Sequence, residues 1–255
     1  MFTPHTDAER QEMLKALGLT SLDELFSDVP KNYRFPPLNL PAGMSEMFAA
    51  NYVESFAEAN ASTKDLICFL GAGAYDHHIP AAVDSILRRG EFFTAYTPYQ
   101  AEISQGTLQA TFEFQSLICN LTSLEVSNAS HYDGATAAAE ACITALSHFR
   151  NKRKTIFLTH SINPQYIEVI KTYLSGTEGI SILTGDQNEN ALSDPHQISS
   201  LVNPDTALVM VQYPDFFGRI FDFSDLIQTA HDQGALVCLI VNPIALGILK
   251  TPGEM

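Results

Sequence analysis

The feature that most restricts the fold lies after residue 150, where short apolar runs alternate with amphipathic segments. Thr155–Leu158 (TIFL), Ile180–Leu183, Ala207–Gln212 (ALVMVQ) and Ala235–Val241 (ALVCLIV) read as strands. Gln165–Leu174 and Ser224–Gln233 read as the helices between them, and Asp194 with Pro195 as the cap and first residue of another short helix. Strands that are apolar throughout, rather than every second residue, are covered on both faces. The pattern predicts an α/β fold: a three-layer αβα domain with a mainly parallel sheet. Ligands of such sheets bind beyond the carboxyl ends of the strands.

Upstream, two further helices are predicted at 107–122 and 135–149, the second rich in alanine. Residues 1–63 read as a helical N-terminal arm. Thr6 with Glu9 makes a capping box ahead of Met13, Leu14 and Leu17, and Ser21 with Glu24 repeats the signal. Four prolines between residues 30 and 43 predict an extended passage, followed by a helix from Ser45 to Glu58. The large domain occupies 64–255. The chain stops at KTPGEM, after a strand expected to be fully buried and with no helix to cover it, so that domain reads as incomplete at its C-terminus and the chain as a piece of a longer protein.

Charge and composition exclude several classes. The formal net charge is −15, unsuited to neutralising nucleic-acid phosphates. The one basic cluster, Arg150, Lys152, Arg153 and Lys154, reads as a solvated helix end. No apolar run is long enough for a membrane span, and Met1–Asp7 lacks a signal peptide's features; a cytoplasmic protein is expected. Cys68, Cys119, Cys142 and Cys238 are too scattered for a zinc or redox motif and read as buried thiols. His77 and His78 are adjacent and point apart, so no metal site is expected, though a pocket-facing histidine fits His78. Gly71-Ala72-Gly73 reads as a tight turn, since Asp76 replaces the glycine a dinucleotide loop needs.

Two stretches carry candidate chemistry. In EFFTAYTPYQAEISQG, the side chains of Tyr96, Tyr99, Gln100, Glu102, Ser104 and Gln105 crowd into ten residues. They suit a pocket wall, or a buried loop satisfying its own backbone. Asp133-Gly134-Ala135-Thr136 enters the alanine-rich helix, either as an anion-binding helix start or with Asp133 as a simple cap.

FLGAGAYDHHIPAAV, EFFTAYTPYQAEISQGTLQATFEFQ, NASHYDGATAAAEA and NPIALGILKTPGE together closely resemble the glycine decarboxylase (P-protein) family of the glycine cleavage system, in particular subunit 1, the alpha chain of its two-subunit bacterial form. Ser123 stands where that family frequently has glycine. The resemblance implies a fold like the fold-type I pyridoxal-phosphate enzymes, the aspartate aminotransferase class. It implies a complex that decarboxylates glycine and passes the aminomethyl group to the lipoyl arm of H-protein. It also implies that pyridoxal phosphate and its Schiff-base lysine belong to the beta subunit. Asn242 ends the last strand where cofactor-bearing relatives carry an acid, so no catalytic residue is expected in this chain. Tyr96, Tyr99, Gln100, Glu102, Gln105 and His78 would line the substrate pocket from the alpha side, and Asp133, Gly134 and Thr136 would be a vestigial cofactor-phosphate loop. A non-catalytic structural or regulatory partner of a pyridoxal-bearing subunit is the alternative; an independent pyridoxal enzyme is disfavoured by the missing lysine.

Overall fold

The computed structural model describes residues 4–94, 96–184 and 198–255. The proposed Asp194–Pro195 helix start lies outside them. The chain divides into two compact units, Met1–Cys68 and Phe69–Met255.

In the first unit, helix α1 (Asp7–Ala16) opens with the expected capping box: Thr6 Oγ1 accepts the Glu9 N–H, and Glu9 accepts the Thr6 N–H at 2.6 Å. Ser21 behaves differently. It precedes a five-residue 3-10 turn, Leu22–Phe26, without capping it: its hydroxyl donates to Glu24 Oε1 at 3.4 Å, an oxygen that also accepts the Thr20 N–H. The proline-rich passage is not extended throughout; Lys31–Tyr33 makes a 3-10 turn. Helix α2 (Glu46–Glu58) is capped by Ser45 through the Phe48 N–H.

The second unit begins with the predicted tight turn at Gly71–Ala74, where Gly71, Ala72 and Gly73 all have positive φ. Two short helices that the sequence pattern did not reveal follow, α3 (Ala81–Leu87) and α4 (Gly90–Phe93). Each is shorter than the window over which periodicity is legible. Helix α5 (Gln105–Thr122) begins two residues earlier than predicted. Its C-cap, Ser123, adopts φ 57°, the left-handed geometry that explains why glycine suits this position.

Helix α6 (Gly134–His148), strand β1 (Thr155–Leu158), helix α7 (Pro164–Leu174), strand β2 (Ser181–Thr184), strand β3 (Thr206–Tyr213), helix α8 (Ser224–Asp232) and strand β4 (Leu236–Val241) complete the order. The four strands form one parallel sheet, ordered β2-β1-β3-β4. Its residues alternate between two cores. Ile156, Leu158, Leu208 and Met210 pack against α6 and α7; Phe157, Val209 and Val211 pack against α8 from the other face. This is the expected αβα layering. Three alanines of α6 and Cys142 are buried in the first core, so small side chains bring that helix close to the sheet.

Two expectations need correction. Strand β4 is half-buried rather than fully buried, because it pairs with β3 on one side only. Of the cysteines, Cys142 is buried, Cys119 and Cys238 are half-buried, and Cys68 is exposed; an apolar flanking sequence does not ensure burial. Cys142 and Cys238 fit the inert reading, since burial pushes their thiols up to about 12 and about 11. Arg153 is more than a solvated helix end. Its Nη1 donates to the carbonyls of Thr206 (3.0 Å) and Gln233 (2.9 Å), and its guanidinium lies 4.6 Å over the Phe149 ring. It thereby ties together the start of β3 and the turn into β4.

Candidate functional site

A cavity of about 620 Å³ opens at the carboxyl end of the sheet, where this architecture places ligands. Its floor is made by the strand ends: Gln212 on β3, and Ile240, Val241 and Asn242 at the end of β4. Pro214, Asp215, Phe216 and Gly218 supply one wall, Asn163 and Tyr166 of the β1–α7 junction another, and Gly73, Tyr75 and His77 the rim.

The local sequence fixes each polar group. Asn163 caps α7, its Oδ1 accepting the Gln165 N–H at 2.9 Å, with Pro164 pre-set as first helical residue. The Asn163 N–H in turn donates to Gln212 Oε1 at 2.7 Å, locking β3 to the helix start. Asn242 Oδ1 accepts the Ile244 N–H at 3.0 Å. Asp215, 5% exposed, accepts from the Phe217 and Arg219 N–H groups and from Arg219 Nε at 2.8 Å. That guanidinium also lies over the Phe217 and Phe221 rings, at 5.0 and 5.7 Å. The carboxylate thus holds its own turn together, since a buried carboxylate needs such partners.

Asp133 is the N-cap of α6, its Oδ1 accepting the Thr136 N–H at 2.8 Å while Thr136 Oγ1 accepts the Asp133 N–H. The backbone bond to Thr136 holds the Asp133 carboxyl below its ordinary value. A Cβ at Gly134 would collide with the Tyr166 hydroxyl and lie 3.1 Å from its ring carbon Cζ. Glycine here lets α6 start directly against a residue that lines the cavity.

The tyrosine-rich stretch lies elsewhere in the same unit. Tyr96 lines a second cavity, about 800 Å³, between α4 and α5, with Arg89, Glu91, Ile103 and Phe114. Tyr99 is 89% exposed; Gln100, Glu102 and Gln105 are also exposed, and none of these four lines either cavity. His78 is exposed and lines neither, whereas its neighbour His77 reaches the strand-end rim. Asn163, Tyr166, Gln212 and Asp215 were missed as candidates, although the rule that ligands bind beyond strand ends points to the residues just after β1 and within the last turn of β3. Among the described residues no cluster of three or more His, Cys, Asp or Glu side chains could hold a metal ion, and no helix is long and apolar enough to cross a membrane.

The family model of the glycine cleavage system P-protein matches residues 1–255. The chain belongs to that family. Among curated P-protein relatives, the probable glycine dehydrogenase (decarboxylating) subunit 1 of Desulforamulus reducens is 49% identical over 254 residues, covering 99% of this chain and 56% of its own length. The subunit 1 of Thermomicrobium roseum is 46% identical, covering 100% of this chain and 56% of its own. A crystal structure of glycine decarboxylase (P-protein) in inhibitor-bound form superposes with a TM-score of 0.86 at 39% identity, over 100% of this chain and 56% of that one. The chain therefore spans a little over half the length of the P-proteins it matches.

Pyridoxal chemistry of the kind the P-protein resemblance implies needs an imine lysine and an acid for the ring nitrogen. The residues of this cavity do not fit. Among the described residues no lysine lines it; Lys250 donates to Ser224 Oγ at 2.8 Å. Asn242 is a neutral amide, and Asp215 is fully engaged by its own turn.

Proposed function

We propose that this chain acts as subunit 1 of a two-subunit glycine decarboxylase of the glycine cleavage system. In this reading the complex decarboxylates glycine and transfers the aminomethyl group to the lipoyl arm of H-protein. Pyridoxal phosphate and the catalytic lysine reside on the partner beta subunit, and this chain is silent alone. The observation that carries the reading is the strand-end cavity: a P-protein chain whose own cavity offers neither lysine nor free acid at the end of β4. The subunit 1 names of its relatives support it.

So does the surface of residues 69–126, where Phe69, Phe93, Tyr96, Tyr99, Phe112 and Val126 are each more than two-thirds exposed. Apolar exposure on that scale marks a covered face. Tyr96, Tyr99, Gln100, Glu102, Gln105 and His78 would form this chain's wall of a pocket completed by beta. Asp133, Gly134 and Thr136 would keep the form of a cofactor-phosphate loop while serving as a helix cap. Residues 1–63 would serve as the arm of the large domain. A cytoplasmic setting suits an exposed, free Cys68.

A purely structural partner role is the second reading, favoured by the openness of Tyr99, Gln100 and Glu102. Glycine turnover by the assembled complex separates the two. Tyr96→Phe and Glu102→Ala each lower kcat at least tenfold if the loop touches substrate, and leave it unchanged if the role is structural.

A further inference from the structure

Three side-chain amides line the strand-end cavity, and each has its oxygen already committed to the protein. Asn163 Oδ1 accepts from the Gln165 N–H, Gln212 Oε1 from the Asn163 N–H and Asn242 Oδ1 from the Ile244 N–H. A backbone N–H can only donate, so these bonds settle which way each amide points. The NH₂ is the remaining end in all three, and among the described residues none has a protein acceptor. Asn163 is the most telling. The residue is only 9% exposed, yet its Nδ2 is not sealed from solvent without a partner. It therefore opens into the cavity it lines, beneath Gly73, whose notional Cβ would lie 3.8 Å away.

Among the described lining residues, which include Tyr75, Tyr166 and His77, no carboxylate is uncommitted. Asp215 is the sole carboxylate among the lining residues, and its oxygens hold two backbone N–H groups and Arg219. Pro214, Ile240, Val241 and Pro243 make much of the remaining wall apolar. A concave, partly apolar space whose uncommitted amide ends are donors matches an oxyanion.

We propose that this cavity binds a small carboxylate lacking an α-ammonium group, held by the NH₂ groups of Asn163, Gln212 and Asn242. An α-ammonium would find no free carboxylate, so glycine itself is rejected. The donors are neutral and the chain carries a net charge of −15, so a monoanion is favoured over phosphate. The site belongs to this chain alone and does not rest on the partner-subunit reading.

The test is a titration of the 15N-labelled 255-residue chain with sodium acetate, sodium phosphate and glycine at matched ionic strength. Acetate is expected to shift the side-chain amide resonances of Asn163, Gln212 and Asn242 saturably, while glycine leaves them in place. Asn242→Asp keeps the oxygen that accepts the Ile244 N–H and turns the remaining donor into a repelling acceptor. It should weaken acetate binding at least tenfold, whereas Asn51→Asp on α2 adds the same charge without effect. Amide resonances unmoved by acetate, a response to phosphate or glycine in its place, or equal weakening by both variants would overturn the proposal.

Discussion

Helices α5 and α6 are neighbours in sequence and similar in length, yet they have opposite fates. Helix α6 buries five residues, three of them alanines, in the core beneath the sheet. Helix α5, with Phe112, Phe114 and Leu117 along it, buries none; only Leu121 leans on the second core. The same contrast holds for the flanking segments. The described residues of 134–255 close around a parallel sheet, while those of 69–133 hold large apolar side chains open to solvent. Hydrophobic content does not distinguish them. What does is whether an opposing surface is present: the sheet is internal to the second region, and among the described residues nothing covers the large apolar side chains of the first.

That contrast predicts unequal responses to the same truncation. Leu158 in β1 is 0% exposed, and Leu158→Ala should destabilise the chain by about 2–5 kcal/mol in chemical denaturation. Leu117→Ala, on a residue 65% exposed, should stay within about 0.5 kcal/mol. In a pull-down with the beta subunit the order should reverse, with Leu117→Ala the more damaging to capture. Equal destabilisation by the two would break the comparison.

At the junction of the two regions, Gly134→Ala should cost about 1–3 kcal/mol by overpacking against Tyr166. Tyr166→Phe in the same chain should restore part of that loss by removing the colliding hydroxyl. Within the open region, Ser123→Gly should raise stability by about 0.5–1 kcal/mol in thermal unfolding, because glycine accepts φ 57° without Cβ strain.

The smallest effect is a pH dependence at the α6 cap. The Asp133 carboxyl is held below its ordinary value of 3.8 by the Thr136 N–H. A lowered folded-state value means that the cap's electrostatic contribution is fully present above that ordinary value. It is lost as pH falls through the lowered one. Acid unfolding followed by circular dichroism should show this component in the native chain. Asp133→Asn should lack it while keeping the acceptor oxygen.

The strand–helix half was legible because burial and period agree there. TIFL could be read residue for residue, and the other strands within a residue or so, since an apolar run between turn signals has few alternatives. Helices α3 and α4 were not legible: seven and four residues do not establish a period. The half-burial of β4 was hidden because ALVCLIV looks the same at a sheet's centre and at its edge. At the candidate site, the strand-end rule points to the end of the sheet where the cavity opens, and Asn242 was singled out through the P-protein resemblance. The amides of Asn163 and Gln212 escaped notice because neither belongs to a motif, and their roles arise only when β1 and β3 become neighbours. The tyrosine-rich stretch stood out for its composition, but its position on an open face could not be read from the chain.

The central claim is that this chain contributes a surface and leaves bond breaking to its partner. The most direct measurement is release of labelled carbon dioxide from carboxyl-labelled glycine, with pyridoxal phosphate and lipoylated H-protein present, by this chain with and without the beta subunit. The account predicts no release above background from the chain alone, no borohydride-fixed pyridoxal on it, and release once beta is added. Turnover by the isolated chain, or a cofactor imine trapped on one of its own lysines, would contradict it.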